Sequence, residues 1–263
     1  MIKSSENDEI LYHIGISRKM VEGAEYAVLP GDPGRVRFLA DKIGPARHLG
    51  THREYTSYLA KLQGTPVLVC STGMGGPSVS IGLEELARLG IKNFIRVGTT
   101  GSIQDNVELA DLVINKGAVR LDGASRHYAP LEFPAVASFG LTRALIDAAS
   151  ELSLPYHVGI SVSSDTFWPG QERYDSFTGY VPRAFQGTLE EWRRLGALNY
   201  EMETATLFVA AQAMGLSAAS VCGVIAKRTA GEKIAPPDVY KLASERFVDV
   251  LKLALAKLII KKE

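Results

Sequence analysis

The apolar positions of this chain fall into two rhythms. Nearly unbroken apolar runs mark strands covered on both faces, over residues 24–29, 67–71, 93–101 and 221–226, with shorter ones over 112–114, 118–121 and 197–200. Residues 55–62 and 67–71 form a hairpin turning at Gln63-Gly64, and 156–162 alternates as a half-buried strand does. Between these runs, apolar spacings of three and four predict helices over 78–89, 141–152, 189–195 and 238–260. Two more are expected, from Pro33 to about Ile43 with Asp32 as N-cap, and from Glu201 to Met214. Strands and helices alternate without internal repeat, low-complexity tract or long linker, so one α/β domain over 1–263 is the economical reading.

The polar breaks in this pattern cluster just after strands. Gly31-Asp32-Pro33-Gly34-Arg35, Gly73-Met74-Gly75-Gly76-Pro77 and Gly98-Thr99-Thr100-Gly101 all follow apolar runs, where open α/β sheets bind their ligands. Glycine lets backbone N–H groups approach an anion, and Arg35 and Arg96 stand beside these turns, so an anion site is outlined. An ordinary capped turn with a solvated Arg35 is the alternative. The turns match neither GxGxxG nor a Walker sequence, which leaves NAD and ATP unsupported. Residues 163–175 combine Phe167 and Trp168 with Gln171 and Arg173, able to stack a flat heterocycle and bond its edge, or else to form a rigid Pro-Gly turn. Glu201 and Glu203, at a strand-to-helix junction, suit either the helix dipole or vicinal sugar hydroxyls. His52-Arg53-Glu54 is a charged cluster at a strand edge.

Composition narrows the classes. Hydrophobic residues make up 46% and charged ones 22%, and 29 Lys plus Arg balance 29 Asp plus Glu, so no global field draws the chain to nucleic acid or membrane. No apolar stretch approaches the roughly 18 residues of a membrane span. Glu6, Asp8 and Glu9 stand where a signal peptide needs positive charge. Cys70 and Cys222 lie in apolar runs outside any metal or CxxC spacing, as buried thiols of a reducing cytosol do. A cytoplasmic protein with no nucleic-acid or membrane partner is expected.

Six runs then carry a resemblance. Pro30-Gly31-Asp32-Pro33, Cys70-Ser71-Thr72-Gly73 with Gly75-Gly76-Pro77-Ser78, Arg96-Val97-Gly98-Thr99-Thr100-Gly101, Val119-Arg120-Leu121-Asp122-Gly123-Ala124-Ser125, residues 163–175 and Asn199-Tyr200-Glu201-Met202-Glu203 resemble, in order, the uridine-cleaving family of the nucleoside phosphorylase superfamily. The resemblance implies a three-layer αβα sandwich with a mixed central sheet. It also implies exchange of uracil on ribose for phosphate, with deoxyuridine and thymidine as further substrates. Gly31, Arg35, Arg96 and Thr99 resemble phosphate ligands, joined by Arg53 from a neighbouring subunit. Glu201, Met202 and Glu203 resemble ribose contacts, with His13 reaching in from that neighbour, and Phe167, Gln171 and Arg173 the uracil pocket, with Ile225 and Arg228 near the base. Arg96, Glu203 and Arg173 are the expected catalytic set. Glu54 and Ser78 match a potassium site at the subunit interface of some relatives. Otherwise the resemblance implies no cofactor, inorganic phosphate as co-substrate, and a homohexamer built as a trimer of dimers with shared sites.

Departures from the family's pattern occur at Tyr12, Met74, Trp168 and Ala226-Lys227, and the loop 228–237, where relatives carry a flap, is longer. Two rivals follow. One is a nucleosidase of the same fold using water, although relatives acting on purines carry an Asp after the last strand where this chain has Ala226-Lys227-Arg228. The other is a non-catalytic nucleoside sensor, to which charge matched to a transition state offers little.

Overall fold

Along the central strands, successive side chains enter two different cores. Tyr26 and Val28 pack with Val67, Val69, Ile95 and Val97 on one face, while Ala27 and Leu29 pack with Leu68, Cys70 and Phe94 on the other. Both faces are buried, which is why the runs read as continuously apolar. The computed structural model describes residues 8–260, and Glu6 lies outside the described residues.

The first half of the chain comprises β1 (Tyr26–Pro30), α1 (Val36–Ile43), β2 (Ala46–His52), β3 (Tyr55–Leu62), β4 (Thr65–Cys70), α2 (Gly76–Arg88), β5 (Asn93–Ser102) and β6 (Leu112–Leu121). There follow β7 (Ala135–Val136), α3 (Phe139–Glu151), β8 (Tyr156–Ser164), α4 (Thr188–Arg194), β9 (Ala197–Glu201), α5 (Thr204–Ala213), β10 (Ser217–Lys227) and α6 (Pro237–Ile260). One mixed sheet runs β2-β3-β4-β1-β5, with β4, β1, β5 and β10 parallel and the β2-β3-β4 pairs antiparallel. Beyond β5 it closes on itself, because β5 pairs with both β10 and β9, and β10-β6-β8-β9 completes the ring. Helices α1, α3 and α6 cover one face and α2 and α5 the other, which gives the expected αβα layering around a mixed sheet. In α5 every residue from Thr204 to Ala211 is buried, as its all-round apolar sequence requires. Among the described residues, no helix is long and apolar enough to cross a membrane.

Several boundaries differ from the pattern reading. Strand β2 was not expected; its residues are half-buried or exposed, so it carries no alternation to read. The pieces 112–114 and 118–121 are one strand, β6, whose register shifts between Asn115 and Gly117. Strand β10 begins at Ser217, four residues before the apolar run at 221, and α6 begins at Pro237. Glu201 ends β9 instead of opening α5, which starts at Thr204. Asp32 does cap its turn, accepting from Gly34 N at 2.8 Å, and Pro33–Arg35 is a 3-10 turn leading into α1.

Candidate active site

A cavity of about 610 Å³ opens at the carboxyl ends of β1, β4, β5 and β10. Its lining falls into two contact groups, an arginine end with Gly31, Arg35, Arg96 and Thr99 beside Glu201, Met202 and Glu203, and a far end with Phe167, Gln171, Arg173 and Ile225. Glu54 and Ser78 also line it. The structure thus brings together most of the residues singled out from sequence.

At the arginine end, Arg35 has Nε and Nη1 buried with no hydrogen-bond partner. Burial, reinforced by the neighbouring Arg96, lowers its pKa against the pull of Tyr240 and Asp32. Two guanidinium donors withheld from water without an acceptor cost about 1–3 kcal/mol each, a cost that an anion beside them would relieve. The Gly31 backbone closes against it, since a Cβ there would lie 2.9 Å from the Gly73 carbonyl and 3.8 Å from Arg35 Nη2.

Arg96 is 5% exposed and lies across two carboxylates, with Nε 3.2 Å from Glu201 Oε2 and Nη2 paired to Glu203 Oε2. Burial opposes its charge, but Glu203 and Glu201 outweigh it and raise its pKa, so the guanidinium stays charged. Burial pushes the Glu203 carboxyl up, against Arg96 and the Gly75 amide, which donates to Oε1 at 2.8 Å. Glu201 is different. It accepts from the hydroxyls of Ser161 and Ser163, the amides of Glu203 and Thr204 at 2.9 Å each, and Arg96. That carboxylate is engaged on both oxygens within the protein, where it holds Arg96 and the start of α5, while Glu203 accepts from Gly75 N, Met202 N and Arg96 and keeps more capacity for a ligand. Thr100 likewise turns inward, donating to Tyr200 O at 2.6 Å, so Thr99 is the threonine left for an anion.

At the far end, Arg173 lies over the Phe167 ring, 4.2 Å from its centroid, with Nε 3.5 Å from Gln171 Oε1. Burial, then the nearby Arg228, lowers its pKa. Arg228 does not line the cavity. It donates to the carbonyls of Gln171 at 2.9 Å and Glu172 at 3.3 Å, and so supports the loop that carries Gln171.

His13 and Arg53 lie outside their own chain's cavity. His13 Nδ1 is 2.7 Å from Glu85 Oε1, and Arg53 stands over Tyr12, 5.7 Å from the ring centroid, with His52 Nδ1 2.9 Å from the His13 carbonyl. Tyr12, His52 and Arg53 are exposed and His13 is half-buried, and Arg53 is next in sequence to Glu54 at the cavity wall.

Sequence reasoning quoted Gly98 and Tyr200 without giving either a role of its own, and missed Ile234 and Tyr240. The last three line the cavity; Gly98 makes room for Arg96, because a Cβ would lie 2.9 Å from Nη2 and 3.0 Å from Cys222 Sγ. An arginine and a glycine two apart share one strand face, and that spacing was a readable signal. Ile234 and Tyr240 arrive from beyond the last strand and had none. Both cysteines are free and buried; burial pushes Cys70 up to about 12 and Cys222 up to about 11, which disfavours the thiolate. Among the described residues, no cluster of three or more His, Cys, Asp or Glu could hold a metal ion.

The sequence profile of the Phosphorylase superfamily matches residues 25–256. The chain belongs to that superfamily. It is 51% identical to the uridine phosphorylase of Escherichia coli over 222 residues, which covers 84% of this chain and 88% of the relative. It is 47% identical to that of Haemophilus influenzae over 241 residues, covering 92% and 95%. A guanosine phosphorylase of Halorubrum lacusprofundi is 36% identical over 209 residues, covering 80% and 81%. Relatives named for uridine and for guanosine are thus both similar to this chain.

Proposed function

We propose that the protein cleaves uridine by phosphate attack, giving uracil and ribose 1-phosphate in pyrimidine salvage. The observation that carries this reading is the pair of buried, unpartnered nitrogens of Arg35 facing the cavity beside Arg96 and Gly31. An anion there, held also by Thr99, lies across the cavity from the aromatic and amide end. In the reaction a phosphate oxygen forms a bond to the anomeric carbon while the glycosidic bond breaks and its electron pair leaves on the base. Positive charge grows on the ribose and negative charge on the uracil, so the site gains by stabilising both. The phosphate is the counter-charge for the ribose, Glu203 and Met202 hold the sugar, and Gln171 and Arg173 hydrogen-bond the departing uracil over Phe167. No covalent intermediate is needed, and neither Cys70 nor Cys222 lines the cavity.

The same reading makes the protein a cytoplasmic homohexamer, a trimer of dimers, in which His13 and Arg53 complete a neighbour's site. Their position outside their own chain's cavity supports it. It also gives Glu54 and Ser78 a potassium ion, for which a carboxylate and a hydroxyl are suitable hard donors.

Incubating purified protein with uridine, with and without phosphate, tests the proposal. Uracil release that depends on phosphate, with ribose 1-phosphate as co-product, is expected. Equal release in both makes the protein a nucleosidase, and uridine binding without turnover makes it a sensor.

A further inference from the structure

The segment after β10 folds back across the base end of the cavity. Ile234 bridges to Ala226, Ala235 N donates to Ile225 O at 2.7 Å, and the Ile234 side chain joins the cavity wall. In the middle of this strap, Glu232 meets two buried arginines at once. Its Oε2 is 2.6 Å from Arg173 Nη1 and 2.7 Å from Arg228 Nε, and its Oε1 is 2.8 Å from Arg228 Nη2. Arg173 and Arg228 are 3% and 6% exposed, whereas the Glu232 side chain is 31% exposed. One carboxylate thus serves as common counter-ion to two neighbouring guanidinium groups that would otherwise repel each other in a dry setting.

We propose that Glu232 is a positioning residue that fastens the strap and orients Arg173 toward the base, so that base recognition and strap closure are one event. Occupying Nη1, Glu232 fixes the Arg173 plane over Phe167. Nη2 then lies toward Gly101, a cavity residue whose Cβ, were there one, would sit 3.6 Å from it. The same carboxylate holds Arg228, whose bonds to the carbonyls of Gln171 and Glu172 set the loop bearing the amide. The inference rests on the proposed uridine reaction for its kinetic readout, but not for its structural one.

Glu232→Gln, which keeps the shape and removes the charge, and Glu232→Asp, which keeps the charge on a shorter arm, are compared with wild type. In Glu232→Gln we expect the KM for uridine to rise at least tenfold while the KM for phosphate stays within twofold, and Glu232→Asp to fall between. Hydrogen exchange of the backbone of residues 229–236 should quicken in Glu232→Gln without ligand. An unchanged uridine KM, or uridine and phosphate KM rising together, overturns the proposal, since a merely structural loss would disturb both ends. Should wild type fail to turn over uridine, the functional reading falls and exchange alone decides: unchanged rates over 229–236 sink the strap assignment. If Glu232→Gln does not fold, Glu232→Asp carries the same measurements.

Discussion

At the scale of single residues, the site holds charge that the empty protein does not need. Arg35 keeps two donors dry and unpartnered, so truncating it removes a burden from the ligand-free fold. Arg35→Ala is therefore expected to unfold at the same temperature as wild type or above it in phosphate-free buffer. Phosphate should raise the unfolding temperature of wild type and not of the variant, whose KM for phosphate should rise at least tenfold. Thermal melts at several phosphate concentrations check both. The grouping of these residue types was legible in the sequence, because glycines and arginines recur just after apolar runs, where an open α/β sheet collects its ligands. Their division of labour was not. Glu201 and Glu203 are two apart at one junction, and only the converging Ser161, Ser163 and amide donors show that the first is the more fully engaged of the two.

At the scale of elements, α2 does more than cover the sheet. Its Glu85 reaches the N-terminal segment, accepting from the amides of His13 at 3.1 Å and Ile14 at 2.9 Å as well as facing the His13 ring. Burial works against ionisation of this carboxyl, but those amides and His13 outweigh it and its pKa is lowered. A carboxyl with a depressed folded pKa stabilises above its unfolded value of about 4.3, and that contribution is lost as pH falls through the folded value. Glu85→Gln should therefore be less stable than wild type at pH 7, by on the order of 1 kcal/mol. Denaturant titrations should show the gap closing as pH drops below about 4. Elements with two dry faces, such as β1, β4 and β5, were readable because burial writes itself into composition. The edge strand β2 has no dry face, and β6 is interrupted by Lys116-Gly117 at its register shift, so neither left a clean pattern.

At the scale of the whole molecule, a single chain's sequence cannot say which residues serve a neighbour, because exposure and trans function look alike until copies assemble. Subunit exchange decides it for Arg53. Mixing Arg53→Ala with Glu203→Ala, each inactive alone, should restore about a quarter of wild-type activity, since half the dimers are mixed and each holds one intact site of two. Activity that stays at the parental level, with exchange verified by mass spectrometry of tagged chains, would assign Arg53 to its own subunit.

The closed ring of strands also bears on how the chain is made. Arg96 leaves the ribosome 105 residues before Glu201, and β10, which seals β5 to β6, comes later still. At about 5–20 residues per second, roughly 5–20 s pass in which β5 exists without its counter-ions or its last partner. Arg96 is thus among the last groups whose surroundings are complete, and the nascent protein carries it for that interval as an unpaired positive charge on an unfinished strand.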